Sequence, residues 1–216
     1  MPPSPALPCC WLYLVRHGAT ENNDAYPPRL QGRRTDPPLS AEGLLQAQRT
    51  AQWLAGRPLA AVYSSPLLRA RQTAEAIAGR HRLEVERVDD LIEVDVGLWE
   101  GRAWEEIERT DPEAYRLFMS DATVNPYLGG ENLTVVAARA VPAIERLMAQ
   151  NVGRTIVVVA HNVVNRLYLA HLLKSPLARY RSIPQDNCGV NLLRYEAGEV
   201  RPVTINAVEH LVERRG

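Results

Sequence analysis

Residues 12–18 read LYLVRHG, an apolar run that halts on Arg16 and His17 with no polar spacer and is followed at once by a glycine. A short continuous apolar run of this kind fits a strand buried on both faces. Cys10–Val15 is therefore predicted as the first strand, carrying an arginine and a histidine to its carboxyl end. Residues 156–162, IVVVAHN, repeat the design with a β-branched centre and a second terminal histidine, His161. If the two strands are parallel neighbours, both imidazoles stand at the same edge of one sheet. That edge is where open α/β sheets bind their ligands.

Between and around these strands the order strand, loop, helix recurs. Residues 17–38 form a long polar loop rich in Pro, Asn and Asp, and loops of that length in compact domains are usually functional. Ser40 is placed to cap a helix through Leu54. Ala60–Tyr63 reads as a strand, Leu67–Gly79 as a helix and Leu83–Val88 as a third strand. From Asp89 to Gly130 the pattern turns irregular and aromatic, with Trp99, Trp104, Tyr115, Phe118, Met119 and Tyr127 around short helices near 103–109 and 112–120. Asn132–Gln150 reads as a long helix that Pro142 should kink. A helix follows His161 through Leu173, then strands near 190–195 and 200–205 and a short C-terminal helix. The alternation predicts an α/β fold, a three-layer α/β/α sandwich with a mostly parallel central sheet and a small helical cap insertion. The expected organisation is a single domain, residues 1–216, with the insertion at about 95–130.

A chain of 216 residues, 46% hydrophobic, can bury a sizeable core without staples. Its 25 basic and 25 acidic residues balance, which provides no long-range field for nucleic acid or an anionic membrane. No window is long enough for a membrane-spanning helix. Cys9, Cys10 and Cys188 form neither a disulfide framework nor a zinc spacing, so reduced thiols and a cytoplasmic location are expected. The Pro-interrupted start, without a basic residue before its apolar run, reads as a loose tail over Met1–Pro8 rather than a signal peptide. The apolar fraction is compatible with a homodimer, although no segment marks its interface.

Histidine pairs suggest metal ligation as readily as anion chemistry. Glu21 and Asp24 could add carboxylates, but Arg16, Arg69 in SSPLLRARQTAE and Arg166 in AHNVVNR would repel a dication and suit a phosphate dianion.

Taken together, LVRHGAT, SSPLLRARQTAE, LIEVDVGLWEG and VVVAHN resemble, in order, the signatures of the histidine phosphatase superfamily, the phosphoglycerate mutase-like proteins, over about Leu14–Arg166. The resemblance implies a metal-independent phosphatase with no cofactor. Its partner would be a small phosphorylated metabolite such as a sugar phosphate, a phosphoglycerate derivative or α-ribazole phosphate. It makes His17 the nucleophile, oriented by a hydrogen bond from its other ring nitrogen to the Gly18 backbone. Arg16, Arg69 and His161 would grip the phosphoryl oxygens, and Glu93 would be the general acid, with Asp95 and Glu100 as nearby competitors. Asn23, Gln31, Gly32, Thr20 and Asn162 are the implied substrate-binding residues. Gly18 is expected to provide a tight turn after His17.

Three letters depart from the family pattern: Ala19 where glutamate is frequent, Asn22 where an aromatic is frequent, and Asn162 where glycine is common. Arg29, Arg33 and Arg34 are candidates for a second anionic group on the substrate. Glu131 and Asn132 are candidates either for substrate contact or for capping a helix, and Gln185 and Asn187 for the edge of the site. Cofactor-dependent mutases of the family carry a longer insertion with paired arginines before the second histidine. No adjacent arginine pair lies between Glu93 and His161, which favours a phosphatase over a mutase. A catalytically inactive phosphoryl-binding or interaction module is the alternative of another class.

Overall fold

The computed structural model describes residues 8–212, so the tail expected over Met1–Pro8 lies outside the described residues except for Pro8. Six strands form one mixed sheet: β1 (Cys10–Arg16), β2 (Leu59–Ser64), β3 (Val85–Arg87), β4 (Thr155–Ala160), β5 (Val190–Glu196) and β6 (Glu199–Ala207), in the order β3-β2-β4-β1-β5-β6. Strands β3, β2, β4 and β1 run parallel, and the β5–β6 hairpin adds an antiparallel edge. The third strand is shorter than its sequence suggests because Arg82, in the left-handed conformation, closes the preceding helix and the pairing with β2 ends at Arg87, just before the 3-10 turn at Asp89–Leu91.

The side-chain alternation of the two central strands sorts the helices into layers. Leu12 and Leu14 of β1 and Ile156 and Val158 of β4 pack with α6 (Leu133–Gln150) and α7 (Asn162–Leu172). Tyr13, Val15, Val157 and Val159 point the other way, against α2 (Ala41–Leu54) and α3 (Leu68–His81). This three-layer arrangement matches the expected sandwich. Both central strands are buried on both faces, which is why they read as unbroken apolar runs. Helix α6 continues through Pro142 to Gln150. A single turn, α1 (Glu21–Asp24), is wound into the loop after β1, and the irregular region holds α4 (Trp104–Thr110) and α5 (Pro112–Ser120). There Trp99, fully buried, packs edge-on against Phe118 at 5.5 Å, Tyr127 at 6.0 Å and Trp104 at 6.1 Å. Trp99, Phe118 and Tyr127 thereby join the same buried core as the β1 and β4 side chains that face α6 and α7. No helix among the described residues is long and apolar enough to cross a membrane.

The reason for Gly18 differs from the expectation. Its φ is not positive; what forbids a side chain is α2, because a Cβ on Gly18 would lie 2.5 Å from the carbonyl oxygen of Gly43. The approach is mutual, since a Cβ on Gly43 would lie 1.9 Å from the carbonyl oxygen of Ala19. Two backbones in contact leave no flexible side chain to yield. Gly43→Ala is therefore expected to cost about 1–3 kcal/mol by overpacking and to lower kcat/KM by displacing the loop after His17. Gly79→Ala, in α3 with nothing within 4 Å of the added methyl, should instead leave activity intact and gain about 0.5–1 kcal/mol. Thermal melts and steady-state kinetics of the two variants check the contrast.

Candidate active site

Register brings the two histidines together. Arg16 of β1 pairs with Ala160 of β4, the His17 N–H donates to the Ala160 carbonyl at 3.0 Å, and the two imidazole centroids lie 5.1 Å apart. His17 Nδ1 lies 2.7 Å from the Gly18 carbonyl oxygen. A carbonyl only accepts, so Nδ1 carries the proton and the Nε2 lone pair is free. Burial, followed by the charges of Arg69 and Arg16, drives the His17 pKa well below its ordinary value, against the opposing pull of the Gly18 carbonyl. The ring is neutral at physiological pH. His161 is fully buried with Nε2 2.6 Å from Ser65 Oγ and Nδ1 unpaired, and burial, followed by the charge of Arg69, depresses its pKa in the same way.

The guanidiniums around them are fixed through the backbone. Arg16 donates from Nη1 to the Gln185 carbonyl at 2.6 Å, and burial pushes its pKa down to about 10, leaving it charged. Arg69 donates to the Gly32 carbonyl at 2.8 Å and the Thr35 carbonyl at 3.3 Å. Each keeps an unpaired buried Nε.

Glu93 lines the same cleft as Arg16 and His17. Its Oε1 accepts from the Val94 N–H at 2.9 Å and its Oε2 from the Val163 N–H at 3.1 Å. Burial nevertheless raises its pKa, outweighing those two N–H groups and the charges of Arg69 and Arg139. Arg139 of α6 holds this segment in place by donating to the carbonyls of Asp90, Ile92 and Glu93. The competing carboxylates are otherwise engaged. Burial pulls the Asp95 carboxyl up, but hydrogen bonds from Arg34 and the Gly97 N–H, with the charges of Arg34 and Arg33, hold it below the usual range. Glu100 accepts from the Gly32 N–H and the Thr35 hydroxyl, both at 2.8 Å.

Arg16, His17, Asn23, Gln31, Glu93 and Asn162 share one cleft of about 250 Å³. Arg69, His161, Thr20 and Gly32 are buried and are not among its lining residues. Thr20, which the sequence offers as a substrate contact, instead donates its N–H to Asn23 Oδ1 at 3.1 Å and places its Oγ1 2.9 Å from Gln31 Oε1. Both amides are thereby held by their oxygens, and Gln31 Nε2 is left buried without a partner. Gly32 acts through its backbone, bridging Glu100 and Arg69. Asn187 donates to the His17 carbonyl at 3.1 Å, and Gln185 and Asn191 exchange side-chain hydrogen bonds underneath. Cys188 is a buried thiol whose pKa burial pushes up to about 12, consistent with a packing role.

The suggested role of Arg33 and Arg34 in a second anion site is not supported. Arg34 is paired with Asp95 at 2.7 Å, and Arg33 lies 3.3 Å from both Asp95 and Glu131. Glu131 is occupied by these partners and by Arg139, and Asn132 caps α6 by accepting from the Val135 N–H. The cleft instead contains Arg166, Arg181, Tyr127 and Tyr180. Arg166, read from the sequence as suited to a phosphate, follows Asn162 by four residues and so shares its helix face. No sequence signal marks Arg181, which arrives from a 3-10 segment after α7.

Residues 12–208 match the family profile of the histidine phosphatase superfamily (branch 1). The chain belongs to that superfamily. It is 35% identical over 202 residues to Phosphoserine phosphatase 1 of Hydrogenobacter thermophilus, covering 94% of each chain. Its structure resembles that of YhfR from Bacillus stearothermophilus, with a TM-score of 0.86 at 30% identity over 94% of this chain and all (100%) of the other. It also resembles phosphoserine phosphatase from Entamoeba histolytica in complex with 3-phosphoglyceric acid, with a TM-score of 0.84 at 30% identity over 94% of this chain and 100% of that one. This histidine phosphatase carries its paired histidines just after the ends of the neighbouring parallel strands β1 and β4.

Proposed function

We propose that the chain, acting as one catalytic domain with the 95–130 insertion walling its cleft, hydrolyses a small phosphomonoester through a phosphohistidine on His17. The observation that carries this is the Gly18 carbonyl locking the proton on Nδ1, so that a neutral imidazole offers Nε2 beside Arg16. In the first step His17 Nε2 attacks phosphorus and the ester P–O bond breaks. The departing alkoxide takes a proton from Glu93, whose raised pKa keeps that proton available. In the second step ionised Glu93 takes a proton from water, and the resulting hydroxide attacks phosphorus. The P–N bond breaks, releasing inorganic phosphate and neutral His17.

Arg16 and Arg69 stabilise the non-bridging oxygens as charge redistributes, and His161, anchored on Ser65, contributes its unpaired Nδ1 beside His17. Asn23, Gln31 and Asn162 orient the ester from the cleft wall. Assay of inorganic phosphate released from a panel of phosphate esters, compared by kcat/KM, tests the reading. Turnover of a small monoester supports it. A folded chain that binds such esters but releases no phosphate from any is a binding module instead.

A further inference from the structure

The carboxyl assigned as general acid stands on a stretch of chain that neither the sheet nor a helix supports. Glu93 lies within residues 92–96, which have no regular secondary structure, between the 3-10 turns Asp89–Leu91 and Gly97–Trp99. Leu91, Val94 and Val96 are buried in the core and fix the depth of the stretch. Apolar packing is non-directional, however, and does not by itself aim a carboxyl. The backbone groups of such a stretch must find partners elsewhere, and those partners set its orientation.

Two side chains at the start of α6 supply them. The Arg139 guanidinium donates from Nη1 to the carbonyls of Asp90, at 2.9 Å, and Ile92, and from Nη2 to the carbonyl of Glu93 itself, at 3.1 Å. Its Nη2 also lies 3.3 Å from Glu131 Oε2, and that oxygen accepts from the Asp95 N–H at 2.9 Å. The Glu131 N–H completes the grip by donating to the Asp95 carbonyl at 2.8 Å. The chain is thus held on both sides of Glu93 by one ion pair. Arg139 has a firm base, because Val136 and Ala140 of the same helix are fully buried in the core. Neither Arg139 nor Glu131 lines the cleft, so neither is placed to touch the substrate.

We propose that the Arg139–Glu131 pair positions the general acid, fixing the backbone around Glu93 so that its carboxyl is presented to the leaving-group oxygen. A planar guanidinium fork can serve several carbonyls at once in fixed directions, which a lysine ammonium cannot reproduce. The inference rests on the phosphatase reading above, with Glu93 as acid and then base, and adds to it the residues on which that acid depends.

The test separates loss of the acid from loss of the site. Arg139→Lys keeps the charge but not the fork, and should lower kcat/KM on alkyl phosphates by about 10- to 100-fold, the cost of displacing a reacting group by on the order of 1 Å. On an aryl phosphate, whose phenolate departs without protonation, kcat/KM should be nearly unchanged while kcat falls, because only hydrolysis of the phosphoenzyme still needs Glu93. In a Glu93→Gln background the Arg139 substitution should cost little more, since residues that act through one group are not additive. Glu131→Gln, which removes the charge of the pair and keeps an acceptor for the Asp95 N–H, should show the same pattern at smaller size and carries the test if Arg139→Lys does not fold. Equal losses on alkyl and aryl esters, a loss that adds fully to that of Glu93→Gln, or folded variants with unaltered rates each overturn the inference. If Glu93→Gln itself fails to separate the two classes of ester, Glu93 is not the acid and the inference falls with that assignment. If Glu93→Gln separates them and the folded variants of the pair do not, the inference alone falls.

Discussion

His17→Ala is expected to reduce kcat by a factor on the order of 10⁴–10⁶, the range seen when a catalytic nucleophile is removed, while the fold survives. The reason lies in how little of the site can substitute for this ring. His161 stands 5.1 Å away by centroid, but its Nε2 is engaged by Ser65 and its Nδ1 serves the phosphoryl oxygens in the proposed mechanism, so neither nitrogen replaces the His17 Nε2 as nucleophile. Cys188, the buried thiol beneath the loop, is held protonated by burial. Ground-state binding should suffer far less. Removing His17 deletes a neutral group, and Arg16 and Arg69 remain fixed by the carbonyls of Gln185, Gly32 and Thr35. Calorimetric titration with a slowly turned-over ester should therefore show binding by the variant within about tenfold of the unaltered chain, a change smaller than the catalytic loss. If the variant keeps more than a few per cent of the rate, His17 is not the nucleophile.

Glu93→Gln should lower kcat on alkyl phosphates by about 10²–10⁴-fold, the usual contribution of a positioned acid or base. The loss should divide between the two steps. With an aryl phosphate, whose phenolate departs without protonation, formation of the phosphoenzyme is spared and its hydrolysis is not, so the phosphoenzyme accumulates. The same substitution should stabilise the protein at neutral pH. The folded-state pKa of Glu93 is raised above the usual 4.5, so the native state binds the proton more tightly than the unfolded chain does. Ionising this carboxyl therefore costs stability as pH rises from 4.5 through the folded value, and above it the full cost remains. Thermal melts should show Glu93→Gln more stable than the unaltered chain near neutrality, with the gap closing as pH falls to 4.5. A gap that widens in acid would mean that Glu93 is stabilised, not strained, by its burial. Such an exchange of stability for activity is common at catalytic groups.

The sequence reports most clearly on what is buried by the sheet. β1 and β4 are legible because strands covered on both faces are apolar at every position, and their histidines mark the carboxyl edge where the runs stop. The capping hydroxyl of Ser40 is legible because its partner lies three residues away, at the Gly43 N–H. Contacts between distant segments are not. The purpose of Gly18 lies in the approach of Gly43, twenty-five positions on, and nothing local to LVRHG announces it. Thr20 and Gly32 carry the right letters for substrate contact but are turned towards Asn23, Gln31, Glu100 and Arg69. Charge in a loop is equally silent about its partner. Arg33 and Arg34 look available in QGRRTD until Asp95 and Glu131, more than sixty positions away, fold onto them. Arg166, on a helix face in an apolar context, lines the cleft without a side-chain hydrogen bond to any described residue.

In the proposed mechanism phosphate passes through His17. Glu93→Gln, mixed rapidly with an aryl phosphate, quenched in base and digested, is expected to yield one phosphoryl group per chain, stable to alkali and lost in acid, on the peptide that contains His17. Turnover by the unaltered enzyme with no phosphoryl group trapped on either protein, or with the group on a peptide lacking His17, would contradict the account.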